Sequence, residues 1–127
     1  MEIFIWVITV LLALVMLFSG ALKAFAGKSE KLLSNPRMGW AGDFSDAGIR
    51  SIGVVEILGA LGLILPAVTG IAPVLVPIAA VGLALTMLGA IAVHVRRGDG
   101  ASAVVAPLIF MVLAIVIAWA RFGSYPL

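Results

Sequence analysis

The sequence predicts an all-α integral membrane protein, a bundle of four transmembrane helices, on three observations. Four apolar stretches each come close to the length that a hydrocarbon layer of about 30 Å requires. Of 127 residues, 64% are apolar and only 11% charged, where a soluble domain carries about a quarter charged. The lysines and arginines gather on one side of those stretches. A soluble core does not account for the excess of apolar residues, because so small a chain has a large surface that polar side chains must cover. The length favours a single domain over 1–127.

The first span is expected over about residues 3–22, with Lys23 closing it. Ala24-Phe25-Ala26 resembles a small-residue cleavage site. Glu2 stands where a signal peptide carries basic residues, however, and the apolar run from Ile3 to Leu22 exceeds a signal core, so the stretch reads as a span. Residues 27–47 mix Lys28, Glu30, Lys31, Arg37, Asp43 and Asp46 with Leu32, Leu33, Met38, Trp40 and Phe44. That mixture predicts an interfacial loop, with turns at Asn35-Pro36 and Ala41-Gly42-Asp43 and one helical turn on the membrane surface at Ser29–Leu33. Ser45 or Asp46 caps the second span, about 48–65, which Pro66 is expected to end. From Pro66 to Pro73 the chain reads as a tight, uncharged turn. Pro73 suits the first turn of the third span, about 74–95, and Pro77 is expected to bend its beginning. Arg96-Arg97-Gly98-Asp99-Gly100 separates this span from the fourth, about 103–120, which stops before Arg121.

Lys23, Lys28, Lys31, Arg37, Arg50, Arg96 and Arg97 lie on the side of the first and third connections, and Arg121 alone lies on the other. Cytoplasmic loops retain basic residues, so both termini are expected to be non-cytoplasmic, with Trp6, Trp119 and Tyr125 at the outer interface where amphipathic rings are favoured. A net charge of +2 with no long basic run does not describe a nucleic-acid binder. Without cysteine the chain forms no disulfide, thiolate nucleophile, cysteine-ligated cluster or covalent c-type haem, and one histidine excludes bis-histidine haem ligation within a chain. Ser19, Ser51 and Ser102 lack hydrolase signatures and His94 has no nearby metal-ligand companion, so no catalytic or metal residue is expected.

Glu56 carries the main functional expectation. It lies about seven residues, or about 10 Å, inside the second span, and a carboxylate at such depth must face the bundle interior, be protonated or meet a cation. Ser19 and Lys23 share one face of the first span at i, i+4 spacing, and His94 lies near the same end of the third. These four are expected to line a polar pocket opening toward the cytoplasm, with Arg50 at its mouth. Plainer roles compete: Lys23 as an anchor reaching the headgroups, His94 bonded to a backbone carbonyl, Arg50, Arg96 and Arg97 as topology determinants, and Glu56 as an interhelical hydrogen bond. Gly20, Gly53, Gly59, Gly62, Gly82, Thr86 and Gly89 read as small surfaces for close helix packing.

Ser19-Gly20-Ala21-Leu22-Lys23, Arg37-Met38-Gly39, the run from Ile52 through Glu56 to Pro66, Gly89-Ala90 and His94 together resemble the DoxX-like family over nearly the whole chain. The resemblance implies a four-helix protein of the bacterial inner membrane, and some relatives are associated with quinone-linked sulfur oxidation or oxidative-stress complexes. Three functional expectations follow. The first is a non-catalytic subunit whose pocket binds a quinone or lipid non-covalently, beside a membrane or cytoplasmic redox protein. The second is a proton-coupled small-solute transporter acting as a dimer, the homo-oligomer expected among its partners, with Glu56 exchanging the proton. The third is a scaffold that holds a partner through Trp40 and Phe44.

Overall fold

A computed structural model describes residues 1–29, 33–34 and 36–127, apart from the side chains of Pro36 and Arg37. Among these residues there is no strand, and four helices are long and apolar enough to cross a membrane: α1 (Glu2–Ala26), α2 (Asp46–Thr69), α3 (Leu75–Arg97) and α4 (Ala101–Phe122). At 1.5 Å per residue their 22 to 25 residues extend about 33 to 38 Å, enough to span with some tilt. The protein is a multi-pass membrane protein. Its polytopic surface is built of apolar side chains such as Phe18, Leu58, Leu85 and Ile115, which stand exposed and face lipid.

α1 packs most extensively on α2 and α3 on α4, with α2 against α3 and α4 against α1 closing the ring. The bundle is therefore two helical hairpins laid together. Their shared core fills the half of the bundle nearest the termini. Ile8, Leu12 and Met16 recur at helical spacing along one face of α1 and meet Leu63 of α2, Leu83 of α3 and Ile117 of α4, all buried. At that end the Arg121 guanidinium is almost wholly enclosed. It donates to Glu2 at 2.7 Å and to the Tyr125 carbonyl at 3.0 Å, and it lies 5.5 Å from the Trp6 ring, so it ties both ends of the chain together. Trp119 and Tyr125 meet edge to face beside it.

All four helices outrun the expected spans, and the reasons are local. α1 continues past Lys23 to Ala26 and stops at Gly27, whose φ of 57° is left-handed and whose N–H bonds the Lys23 carbonyl. α2 begins at its cap Ser45, whose hydroxyl accepts from the Gly48 N–H. Pro66 does not end α2. An interior proline forfeits its hydrogen bond and crowds the carbonyl one turn back, yet the helix runs on to Thr69, where left-handed Gly70 terminates it. The turn shrinks accordingly to residues 70–74, and Pro73 falls before the helix rather than in its first turn. Pro77 is the third residue of α3, where the N–H has no intrahelical partner to lose. Within the region read as a loop, Pro36–Asp43 forms a 3₁₀ segment broken by a kink at Met38; of the helical turn expected at Ser29–Leu33, residues 30–32 lie outside those described, while the Leu33 N–H donates to the Ser29 carbonyl at 2.9 Å.

Candidate functional site

Beyond Met16 and Met87 the core gives way to a cleft of about 370 Å³ at the end where the basic residues lie. The contacts that hold α2 to α3 lie toward the other end. Gly59 is pressed against Leu83, and a Cβ on Gly62 would stand 2.8 Å from the Ala79 methyl. α1 and α2 stay close throughout the cleft because of a small-residue crossing. A Cβ on Gly20 would lie 2.7 Å from the Gly53 carbonyl oxygen and 3.0 Å from the Glu56 Cβ, so only glycine permits the approach. That crossing brings the polar side chains of α1 onto Glu56.

Glu56 is fully buried, and its carboxylate accepts from Lys23 Nζ at 2.6 Å and from the Ser19 hydroxyl at 3.2 Å. Lys23 also donates to Ser19 at 2.9 Å, which closes a three-membered ring. With side-chain exposures of 11% and 1%, Lys23 and Glu56 form a buried ion pair rather than a snorkelling anchor beside a lone acid. The Lys23 ammonium also sits 5.5 Å from the Trp40 ring centre.

His94 lines the opposite wall, and its placement has a local cause. Left-handed Gly98 ends α3, its N–H bonding the Val95 carbonyl while the Asp99 N–H returns to the His94 carbonyl. This Schellman pattern folds Asp99 back over the last turn, where its carboxylate meets His94 Nδ1 at 2.8 Å. Arg97 Nε bonds the same carboxylate at 3.0 Å and its Nη1 pairs with Asp43 of the 3₁₀ segment. The hydrogen bond from His94, then that from Arg97, holds the Asp99 carboxyl below its usual pKa.

The 3₁₀ segment roofs the cleft. Trp40 and Phe44 meet edge to face at 5.6 Å, line the cleft and pack on buried Ala41 and Ile49. Ser19, Lys23, Glu56 and His94 thus come together in one space, with Thr86, Gly89 and Phe110 on the apolar walls. Arg50 does not join them. Because α1 runs on to Ala26, its last carbonyls reach Arg50, which donates to Ala24 O at 2.8 Å and to Asp46 at 2.9 Å and closes the helix end. Gly82 and Gly89 also depart from the packing expected of them. A Cβ on either would meet nothing within 4 Å, and Gly89 gives the cleft its width.

The sequence reading missed Asp99, Asp43, Phe110 and Pro107, the last inside α4 and on the cleft wall. A left-handed Gly98 after a basic helix end was the readable signal for Asp99; Asp43 carried none. Among the described residues no group of three His, Asp or Glu side chains is placed to hold a metal ion.

These features define a small four-helix membrane bundle with a charged pair inside one end. The chain belongs to the DoxX-like family, whose model matches residues 7–117 and so takes in every residue of the cleft. Neither the curated proteins nor the solved structures contain a match.

Proposed function

We propose that the protein is a non-catalytic binding subunit of the bacterial inner membrane whose cleft, facing the cytoplasm, receives the head of a small amphipathic molecule, a quinone or a lipid. The observation that carries this reading is the Lys23–Glu56 pair standing in the wall of a cavity with apolar sides. Removing two charges from water costs several kcal/mol per ion before their attraction offsets it, so a pair with no task beyond joining α1 to α2 is a poor use of a position that a leucine would fill. A cleft with a few convergent polar groups among apolar walls is the usual form of a small-molecule site. The family resemblance supports placing it beside a redox or stress-response assembly.

The packed layer of Leu12, Leu63, Leu83 and Ile117 beyond the cleft weighs against a solute passing through. The inward turn of Trp40 and Phe44 weighs against their holding a partner outside. Mass spectrometry of wild type and Glu56→Gln, each extracted in native lipid nanodiscs, tests the reading. Wild type is expected to retain a quinone or one specific lipid that the variant loses. Retention of bulk lipid alone by both would overturn it.

A further inference from the structure

We infer that the cleft selects a single-chain amphiphile whose head is uncharged and carries both a hydrogen-bond donor and an acceptor. The inference rests on the reading of the cleft as a binding site and narrows what that site takes.

Charge balance is the first argument. Lys23 and Glu56 neutralise each other at 2.6 Å, and Ser19 is used by both, accepting from one and donating to the other. On the far wall His94 is engaged by Asp99, whose own charge is met by Arg97. An anionic head would divide one ammonium between two carboxylate-like groups, and a cationic head would compete with Lys23 for Glu56. In a site of low dielectric either arrangement leaves a charge unmatched, which is costly. A neutral head leaves both pairs intact.

The second argument is the hydrogen-bonding capacity that remains. The Lys23 ammonium has three protons and spends two, on Ser19 and Glu56. Each Glu56 oxygen accepts one bond and can accept another. His94 uses Nδ1 toward Asp99, which leaves Nε2 for the cleft. The walls therefore offer one donor beside several acceptors, the complement of a hydroxyl, or of a ring bearing hydroxyl and carbonyl oxygens. The third argument is size. At about 370 Å³ the cleft is near the small end of the range of about 300–1,000 Å³ found for such sites. It holds one ring or head and the start of one chain, bounded by Trp40, Phe44 and Phe110.

The test uses Trp40 as reporter in the full-length protein carrying Trp6→Phe and Trp119→Phe, reconstituted in nanodiscs. Three probes share one dibrominated alkyl chain and differ in head: hydroxyl, sulfonate or trimethylammonium. The alcohol is expected to quench Trp40 saturably, with an apparent affinity about tenfold or more above either ion, and Gly89→Leu, which fills the cleft, is expected to abolish that quenching. Equal or stronger quenching by an ionic probe overturns the selectivity while leaving a binding site. Absence of saturable quenching by every probe, or quenching indifferent to Gly89→Leu, overturns the binding reading and the selectivity with it. The comparison of heads on the unblocked protein does not depend on how the Gly89 variant folds.

Discussion

Replacing Lys23 with methionine keeps the aliphatic stem and removes the ammonium, leaving the Glu56 carboxylate with Ser19 as its protein partner at 3.2 Å. Both members of the pair are nearly closed to solvent, at 11% and 1% side-chain exposure, so screening gives little relief. Breaking a buried pair by deleting one partner costs about 3–5 kcal/mol, because the surviving charge remains buried. Replacing both is far milder, since no charge is left behind. Lys23→Met is therefore expected to destabilise the bundle by about 3–5 kcal/mol. Lys23→Met with Glu56→Leu should stand within about 1–2 kcal/mol of wild type, a coupling that a double-mutant cycle isolates. Equilibrium unfolding in mixed micelles at graded SDS fraction, followed by helix content, measures all four corners. A loss below about 1 kcal/mol in the single variant, or a double variant as unstable as the sum of the singles, would refute the claim that the charges meet inside the bundle.

Two further predictions come from the same structure. Gly20→Val forces a side chain against the Gly53 carbonyl, with its Cβ alone at 2.7 Å, and should cost about 1–3 kcal/mol or more as α1 and α2 separate; Gly82→Ala, with open space around the new methyl, should be neutral or stabilise by up to about 1 kcal/mol, and the same unfolding assay ranks the two. Asp99 has a carboxyl held below its ordinary value of 3.8, first by His94 and then by Arg97; a depressed acid favours the folded state above its unfolded pKa and loses that contribution as pH falls through its folded one. Trp40 fluorescence should accordingly stay constant from neutrality to about pH 4 and shift below it as the 3₁₀ segment loosens, with the Asp99-linked transition lost in Asp99→Asn.

Much of this architecture is legible in the residues because lipid imposes simple rules. Four long apolar runs can do little but span, and the depth of Glu56 together with the i, i+4 spacing of Ser19 and Lys23 points to their meeting. Boundaries were harder. Lys23 reads as a terminus because charge usually marks the membrane edge, yet the ion pair lets α1 carry it inside and continue to Ala26, and that extra turn captures Arg50. Pro66 reads as a stop because proline cannot donate, while the actual stop is set by the left-handed glycine four residues later. The Asp43–Arg97–Asp99–His94 chain was invisible because two of its links join residues far apart in sequence or depend on a cap geometry. Trp40 and Phe44 have the composition of an outward docking surface; only the fold turns them onto the cleft.

The central claim is that the cleft between the two hairpins holds a defined small molecule. Photo-crosslinking from inside it tests this most directly. Benzoylphenylalanine placed at Phe110, on the cleft wall, is compared with the same residue at Phe18, which is 76% exposed on the lipid face of α1. After irradiation in intact membranes, the mass of the adduct identifies the neighbour. The account predicts one discrete small-molecule adduct at position 110 and a spread of bulk phospholipid adducts at position 18. The same lipid spread at both positions, or a protein adduct at position 110, would contradict it.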